Sequence, residues 1–266
     1  MTTSSTSLPS RNGQGPSVPC WVRSISPRRA GIIIVLLAIL YTIVSYTLQA
    51  SLNYPAILLD KASIAASLVA QGSTAVVMGF VGLLVCGILL LIVSPGLVSH
   101  LEENRHGRVI VTGGASGTFW AVSALVGLAL VPLWSNANTG VAQVLATIIL
   151  ILAEIVAPLL LAIWTLTLVR QFRMHRVFGW VSTIGLLLVF LRSLVWILNA
   201  LLPIEAGYYG TAGLLAILAV LGESLWLVWL FLFGFYLMRT NDKTTRLVPV
   251  KDAERAESEE EGEKNT

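Results

Sequence analysis

The chain has 266 residues, of which 56% are apolar and 12% are charged. Because soluble domains carry about 25% charged residues, this composition excludes a soluble globular domain, a disordered chain and a disulfide scaffold. It leaves a multi-pass membrane protein. The net charge of +3 combines −5 in residues 252–266 with +8 in the remainder. A basic body without a dense run of Lys and Arg indicates the lipid bilayer as the partner, and no nucleic acid.

Six apolar segments are each long enough to form a transmembrane helix, which requires about 20 residues. A basic arm (1–30) precedes them and a charged tail (239–266) follows them, and both have the composition of disordered segments. The sequence therefore predicts an all-α polytopic membrane protein with six transmembrane helices over 31–238. In chain order, the predicted spans cover about 31–50, 74–98, 115–134, 141–169, 178–202 and 212–238.

Lys and Arg are distributed unevenly between the segments that flank and connect the spans. Alternate segments contain 15 and 1 of these residues, and the remaining one, Arg192, lies inside a span. Positive residues accumulate on the cytoplasmic side of membrane proteins, so we expect both termini in the cytoplasm and a location in the cell membrane. The acidic tail is then placed to bind a basic cytoplasmic protein. The sequence does not indicate an oligomeric state.

The segment between the first two spans has its own pattern. Pro55 follows Tyr54 at a position where proline begins helices, and apolar residues then recur at helical spacing as far as Val69. Asp60 and Lys61 lie between them. This pattern predicts a short amphipathic helix over 55–70 on the outer membrane surface. An ordinary structured loop fits the same residues equally well.

Three charged residues lie inside predicted spans, namely Glu154, Arg192 and Glu223. Such residues are costly in lipid and normally face a partner or a cavity. Counted from the outer ends of their spans, all three lie about 15–20 Å deep at about 1.5 Å per residue. Consecutive antiparallel helices are usually neighbours. The sequence therefore predicts one Glu154–Arg192–Glu223 cluster near the membrane midplane.

Two further residues belong to this predicted polar cluster. Asn199 shares a helical face with Arg192, and Pro158 lies four residues after Glu154. Since proline lacks an N–H group, it leaves the Glu154 carbonyl without its helical donor and kinks the helix. Two carboxylates against one guanidinium also leave one excess negative charge, which requires a protonated carboxyl or a bound cation.

The predicted cluster has three interpretations. The first is a structural ion pair that fixes helix rotation in a non-enzymatic membrane protein. The second is a proton or cation site in a small transporter or channel that uses Glu154 and Glu223. The third is that the three side chains do not meet.

A Gly-rich stretch at the start of span 3 resembles two catalytic motifs. Gly114-Ala115-Ser116-Gly117 resembles the nucleophile motif of rhomboid proteases, and with Thr112 and Gly113 it resembles the nucleotide-binding turn of short-chain dehydrogenases. A rhomboid requires a His on a later span to activate the serine, and a dehydrogenase requires a Y-x-x-x-K motif. The sequence has neither. We therefore expect no enzymatic activity, and we interpret Gly113 and Gly117 as a flexible start of span 3 that permits close helix contact.

Two more groups of side chains are notable. Four potential metal ligands lie before span 3, namely His100, Glu102, Glu103 and His106. Their spacing matches no known ligand pattern, so no metal or other cofactor is expected. Four aromatic residues near span ends are interpreted as anchors at the membrane interface, namely Trp134, Trp164, Trp180 and Tyr236.

Three features carry a resemblance to a known family. They are the basic residues before span 1, the Asn53-Tyr54-Pro55 start of an amphipathic stretch that ends at Gly72, and Gly222-Glu223-Ser224-Leu225-Trp226 in span 6. With these features the chain is similar, over roughly 30–238, to a family of bacterial integral-membrane proteins defined only as a domain of unknown function. The resemblance implies a compact helical bundle in the cytoplasmic membrane and transfers no activity.

Overall fold

The computed structural model describes residues 25–52, 62–98, 101, 103–135, 139–172, 176–201 and 208–239. The regular elements in these ranges are all helical. In chain order they are α1 (Pro27–Leu52), α2 (Ala62–Val98), α3 (Glu103–Ser135), α4 (Thr139–Ile149), a π-helical segment (Leu150–Val156), α5 (Ala157–Gln171), α6 (Arg176–Leu201) and α7 (Tyr208–Arg239).

Within the described ranges, six helical elements are long and apolar enough to cross a membrane. This confirms the predicted all-α polytopic fold. The fourth spanning element is continuous from α4 through the π-helical segment to α5. The apolar stretches cover Pro27–Ser51, Ser73–Val98, Arg105–Leu133, Gly140–Gln171, Val177–Val195 and Ile217–Arg239.

Helices α1 and α3 both begin before their predicted spans. α1 starts at Pro27, inside the predicted disordered arm, whose residues 1–24 lie outside the described part of the chain. α3 starts at Glu103 and is continuous through the Gly-rich stretch, so the predicted flexible start of span 3 is wrong. A helix satisfies its backbone hydrogen bonds internally, which favours its continuation through the membrane interface.

The predicted amphipathic helix at 55–70 is described only in part. Residues 53–61 lie outside the described residues, and from Ala62 the chain belongs to α2. The later part of the predicted surface helix is therefore continuous with the second span. The charged tail beyond Arg239 also lies outside the described residues.

The spanning elements form a closed ring. Each one packs against its neighbours in the chain, and α1 also packs against α7. Large apolar side chains on the outer faces are exposed, for example Ile43, Leu125 and Val228. These faces are the ones that lipid covers in a membrane protein. Inside the ring, a single apolar core contains residues from every spanning element.

Pairs of glycines set the closest helix contacts. A Cβ added to either member of each pair would come within 2.8 Å of the backbone of the other, so no larger residue fits there without moving a helix. The predicted close contact through Gly117 is confirmed, since it packs on Gly87. The pairs are Gly31–Gly234 between α1 and α7, Gly87–Gly117 between α2 and α3, and Gly185–Gly222 between α6 and α7.

Candidate functional site

A buried ion pair joins the fourth spanning element to α6. Arg192 Nη2 donates a hydrogen bond of 3.1 Å to Glu154 Oε2. The two residues are 5% and 9% exposed, respectively. A charge-assisted hydrogen bond of this kind is stronger than one between neutral groups. The positive charge of Arg192 and the negative charge of Glu154 also compensate each other inside the protein. The structure thus brings together two of the three predicted cluster residues.

Glu154 lies in the π-helical segment Leu150–Val156. At the end of this segment the Ala157 N–H donates to the Leu152 carbonyl, five residues back. Pro158, which is buried, follows directly. Because Pro158 cannot donate to the carbonyl four residues before it, a wider hydrogen-bonding register replaces the α-helical one. The sequence predicted a kink at this place, and the structure places a π-helical turn there, a feature that is frequent at functional sites.

Glu223 has a different partner from the one predicted. Tyr41 Oη on α1 donates a hydrogen bond of 2.9 Å to Glu223 Oε1. The ion pair recorded between described side chains inside the membrane joins Arg192 to Glu154. The structure therefore shows an ion pair and a separate tyrosine–carboxylate contact, and it does not show a Glu–Arg–Glu cluster.

The alignment of α6 and α7 explains this separation. Gly185 packs on Gly222, and Ser182 Oγ lies 3.2 Å from the Leu225 carbonyl oxygen. These two contacts show antiparallel helices in which Glu223 is level with residue 184. Arg192 is eight residues further along α6, which is about 12 Å at 1.5 Å per residue.

The rotation of α7 about its own axis also separates Glu223 from Arg192. Gly222 faces α6, and the next residue in an α-helix points about 100° further round. This rotation turns Glu223 toward α1, where Tyr41 lies. Depth counted from the predicted span ends does not define how two helices are aligned.

An aromatic cluster lies beside Glu223 and links helices that are not neighbours in the ring. Tyr41 stacks on Trp120 of α3 with ring centroids 4.8 Å apart. Trp226 of α7 meets Tyr41 edge-on at 6.0 Å, and its Nε1 donates to Thr165 Oγ1 at 3.1 Å. Tyr41 and Trp120 were missed by the sequence reasoning. The available signal was a phenol in the middle of an apolar span, because a buried hydroxyl usually requires a partner.

The serine of the rhomboid-like motif is part of a helix contact. Ser116 is fully buried. Its Oγ donates to the Thr112 carbonyl at 2.8 Å and lies 3.4 Å from the Ala157 carbonyl on α5. His106, one of the four potential metal ligands before span 3, lies with its Nε2 2.8 Å from the Leu101 carbonyl oxygen. In this arrangement the hydroxyl of Ser116 links α3 to α5.

The remaining predicted residues have varied outcomes. The side chain of Asn199 lies outside those that the structure describes, as do those of Trp134 and Glu103. Trp180 is 44% exposed, consistent with an interface position. Trp164 is fully buried against Gly113, so its prediction as an interface anchor is wrong.

Two polar features of the described region complete the site. Its His, Cys, Asp and Glu residues form no group of three suited to a metal ion. Buried side-chain atoms that have no hydrogen-bond partner among the described residues include Ser123 Oγ, Trp164 Nε1 and Trp229 Nε1. The polar contacts described at the centre of the bundle include Arg192 with Glu154 and Tyr41 with Glu223.

The fold and these contacts define a multi-pass α-helical membrane protein with a buried ion pair. Comparison with known proteins finds no matching family model, curated protein or solved structure.

Proposed function

We propose that the chain is a non-catalytic integral protein of the cell membrane in which the Glu154–Arg192 pair has a structural role. One observation carries this proposal, namely the 3.1 Å contact between two buried and oppositely charged side chains on neighbouring spans. An isolated charge inside the membrane is costly. The pair therefore favours the arrangement of the fourth spanning element and α6 in which the two charged groups stay in contact.

The surroundings of Glu154 and Arg192 favour a permanent structural contact over a site that binds and releases a transported ion. Glu154 is held in a π-helical segment that is followed by the buried Pro158. Arg192 compensates the charge of Glu154 within the protein, so a transported cation would have to displace a guanidinium from its carboxylate. Ser116 links α3 to α5 close to the same place and adds a second polar contact between spans.

The arrangement of arginines supports cytoplasmic termini. The start of α1 packs on the end of α7 through Gly31 and Gly234, and the end of α5 packs on α7 through Phe172 and Phe233. These ends form one side of the bundle. Every Arg in the described ranges except Arg192 lies at this side, and the positive-inside rule assigns it to the cytoplasm. The acidic tail then extends into the cytoplasm, where a basic protein is its proposed partner.

A second candidate function is proton or cation transport through Glu223. The observation that favours it is the surroundings of this carboxylate. Its hydrogen-bond partner among the described residues is the neutral Tyr41, and no described Lys or Arg forms an ion pair with it. An acidic side chain inside a membrane span normally faces a partner or an ion pathway.

A flux assay on purified protein in liposomes separates the two candidates. The structural proposal predicts that proton and alkali-cation fluxes in protein-containing liposomes equal those in protein-free liposomes. It also predicts that Glu223→Gln has no effect on these fluxes. A flux that wild type supports and Glu223→Gln abolishes would replace the structural proposal with the transport one. Arg108→Gln serves as the control, since it removes an exposed charge at another place and leaves both buried polar contacts intact.

A further inference from the structure

The arginine-rich side of the bundle contains one arginine that is held by an aromatic ring. The guanidinium carbon of Arg170, in the last turn of α5, lies 5.7 Å from the ring centroid of Trp180 on α6. Such a cation–π contact contributes about 0.5–1 kcal/mol at an exposed site and favours this position of the guanidinium. Both residues are exposed, so the N–H donors of Arg170 are oriented and accessible from outside the bundle.

The position of this pair is at the lipid-facing perimeter. On α5, Arg170 continues a stripe of exposed residues formed by Leu159 and Ile163. On α6, Trp180 shares an exposed stripe with Val181 and Ile184. These four apolar residues are the ones that acyl chains cover. The guanidinium therefore lies where such a stripe meets the polar headgroup region, and Trp is enriched at that depth.

The positive charge of the arginine-rich side of the bundle favours an anionic ligand. In the part of the chain that the structure describes, the acidic residue at the arginine-rich side is Glu103 on α3. Arg28, Arg29 and Arg108 are exposed at the same side and add to its positive charge. Basic side chains at a membrane surface attract anionic headgroups, and a guanidinium binds a phosphate through two parallel hydrogen bonds.

We propose that Arg170 and Trp180 form a binding site for the phosphate of an anionic phospholipid. The acyl chains lie along the apolar stripes of α5 and α6, and the phosphate accepts hydrogen bonds from the Arg170 guanidinium. The ring of Trp180 holds the guanidinium in place. The site depends on neither Glu154–Arg192 nor Glu223, so it holds whichever proposed function is correct.

Native mass spectrometry of the purified full chain tests the proposal. The apparent Kd is measured for phosphatidylglycerol and for phosphatidylcholine with the same acyl chains. We expect tighter binding of phosphatidylglycerol and an approximately fivefold loss of this preference in Arg170→Gln, the effect of one arginine near a membrane surface. Trp180→Leu should also lower the preference, because it removes the ring that orients the guanidinium. Arg108→Gln is the matched control, since Arg108 is an exposed arginine of α3 at the same side.

Four results would overturn the proposal. One is equal binding of the two lipids by wild type, and another is an equal loss of preference in Arg170→Gln and Arg108→Gln, which would indicate a diffuse charge effect. A third is competition by millimolar inorganic phosphate at constant ionic strength, which would assign the site to the free anion. The last is a preference that emerges only after removal of residues 252–266, which would show that the acidic tail of the chain occupies Arg170.

Discussion

Gly185 and Gly222 lie against each other where α6 crosses α7, and this contact determines which residues of the two helices meet. It places Glu223 level with residue 184 and leaves Arg192 about 12 Å away along the helix axis. Arg192 then pairs with Glu154, and Glu223 accepts a hydrogen bond from Tyr41. The contact between these two glycines therefore determines which residues Glu154 and Glu223 meet.

The first prediction concerns this glycine contact. A Cβ at Gly222 would overlap the backbone of Gly185, so Gly222→Ala should force the helices apart and lower the stability by about 1–3 kcal/mol. Thermal unfolding in detergent measures the effect. Gly114→Ala is the matched control, because nothing lies within 4 Å of a Cβ added there. That variant should be neutral or slightly stabilising, since alanine favours helix more than glycine does. Equal melting temperatures for the two variants would contradict the account.

The second prediction concerns the tyrosine–carboxylate contact. Tyr41→Phe removes the phenol that donates to Glu223 and leaves a partly buried carboxylate without this hydrogen bond. The expected loss of stability is about 1–3 kcal/mol. A double-mutant cycle with Glu223→Leu, which removes the acceptor of this hydrogen bond, measures the coupling between the two residues. A coupling energy of zero would show that the hydrogen bond has no effect on stability.

The third prediction concerns the hydrogen bond that anchors the aromatic cluster. Thr165→Val keeps the side-chain shape but removes the acceptor of Trp226 Nε1, which should cost about 1–3 kcal/mol because a buried donor loses its partner. Thr183→Val provides the comparison. Thr183 is also buried, but its hydroxyl donates to the Gly179 carbonyl of its own helix. Thr165→Val should show the larger fall in melting temperature, and the reverse order would refute the role of Thr165 as the buried acceptor of Trp226.

The sequence predicts the parts of this structure that depend on local composition. Apolar length predicts six spans, the cost of buried charge predicts that Glu154 and Arg192 have partners, and the small residue Gly117 predicts a close helix contact. Each of these inferences follows from the residues of one segment, and the structure confirms all three.

The parts that the sequence did not predict depend on how helices align with one another. The partner of Glu223 follows from the contact between Gly185 and Gly222, which no property of either helix alone reveals. The burial of Trp164 follows in the same way from the space beside Gly113. Helical periodicity gives the face on which a residue lies, but it does not give the level of the neighbouring helix that this face meets.

The central claim is that Glu154 and Arg192 form a structural ion pair, and a thermal unfolding cycle in detergent tests it most directly. The cycle compares wild type, Glu154→Gln, Arg192→Gln and the double variant, with Arg108→Gln as an exposed-arginine control. Each single variant leaves a buried charge without its partner, so we expect a loss of about 3–5 kcal/mol. The double variant should recover part of this loss, and the control should show little change. Single variants that melt like wild type, or a double variant that loses the full sum of both, would contradict the claim.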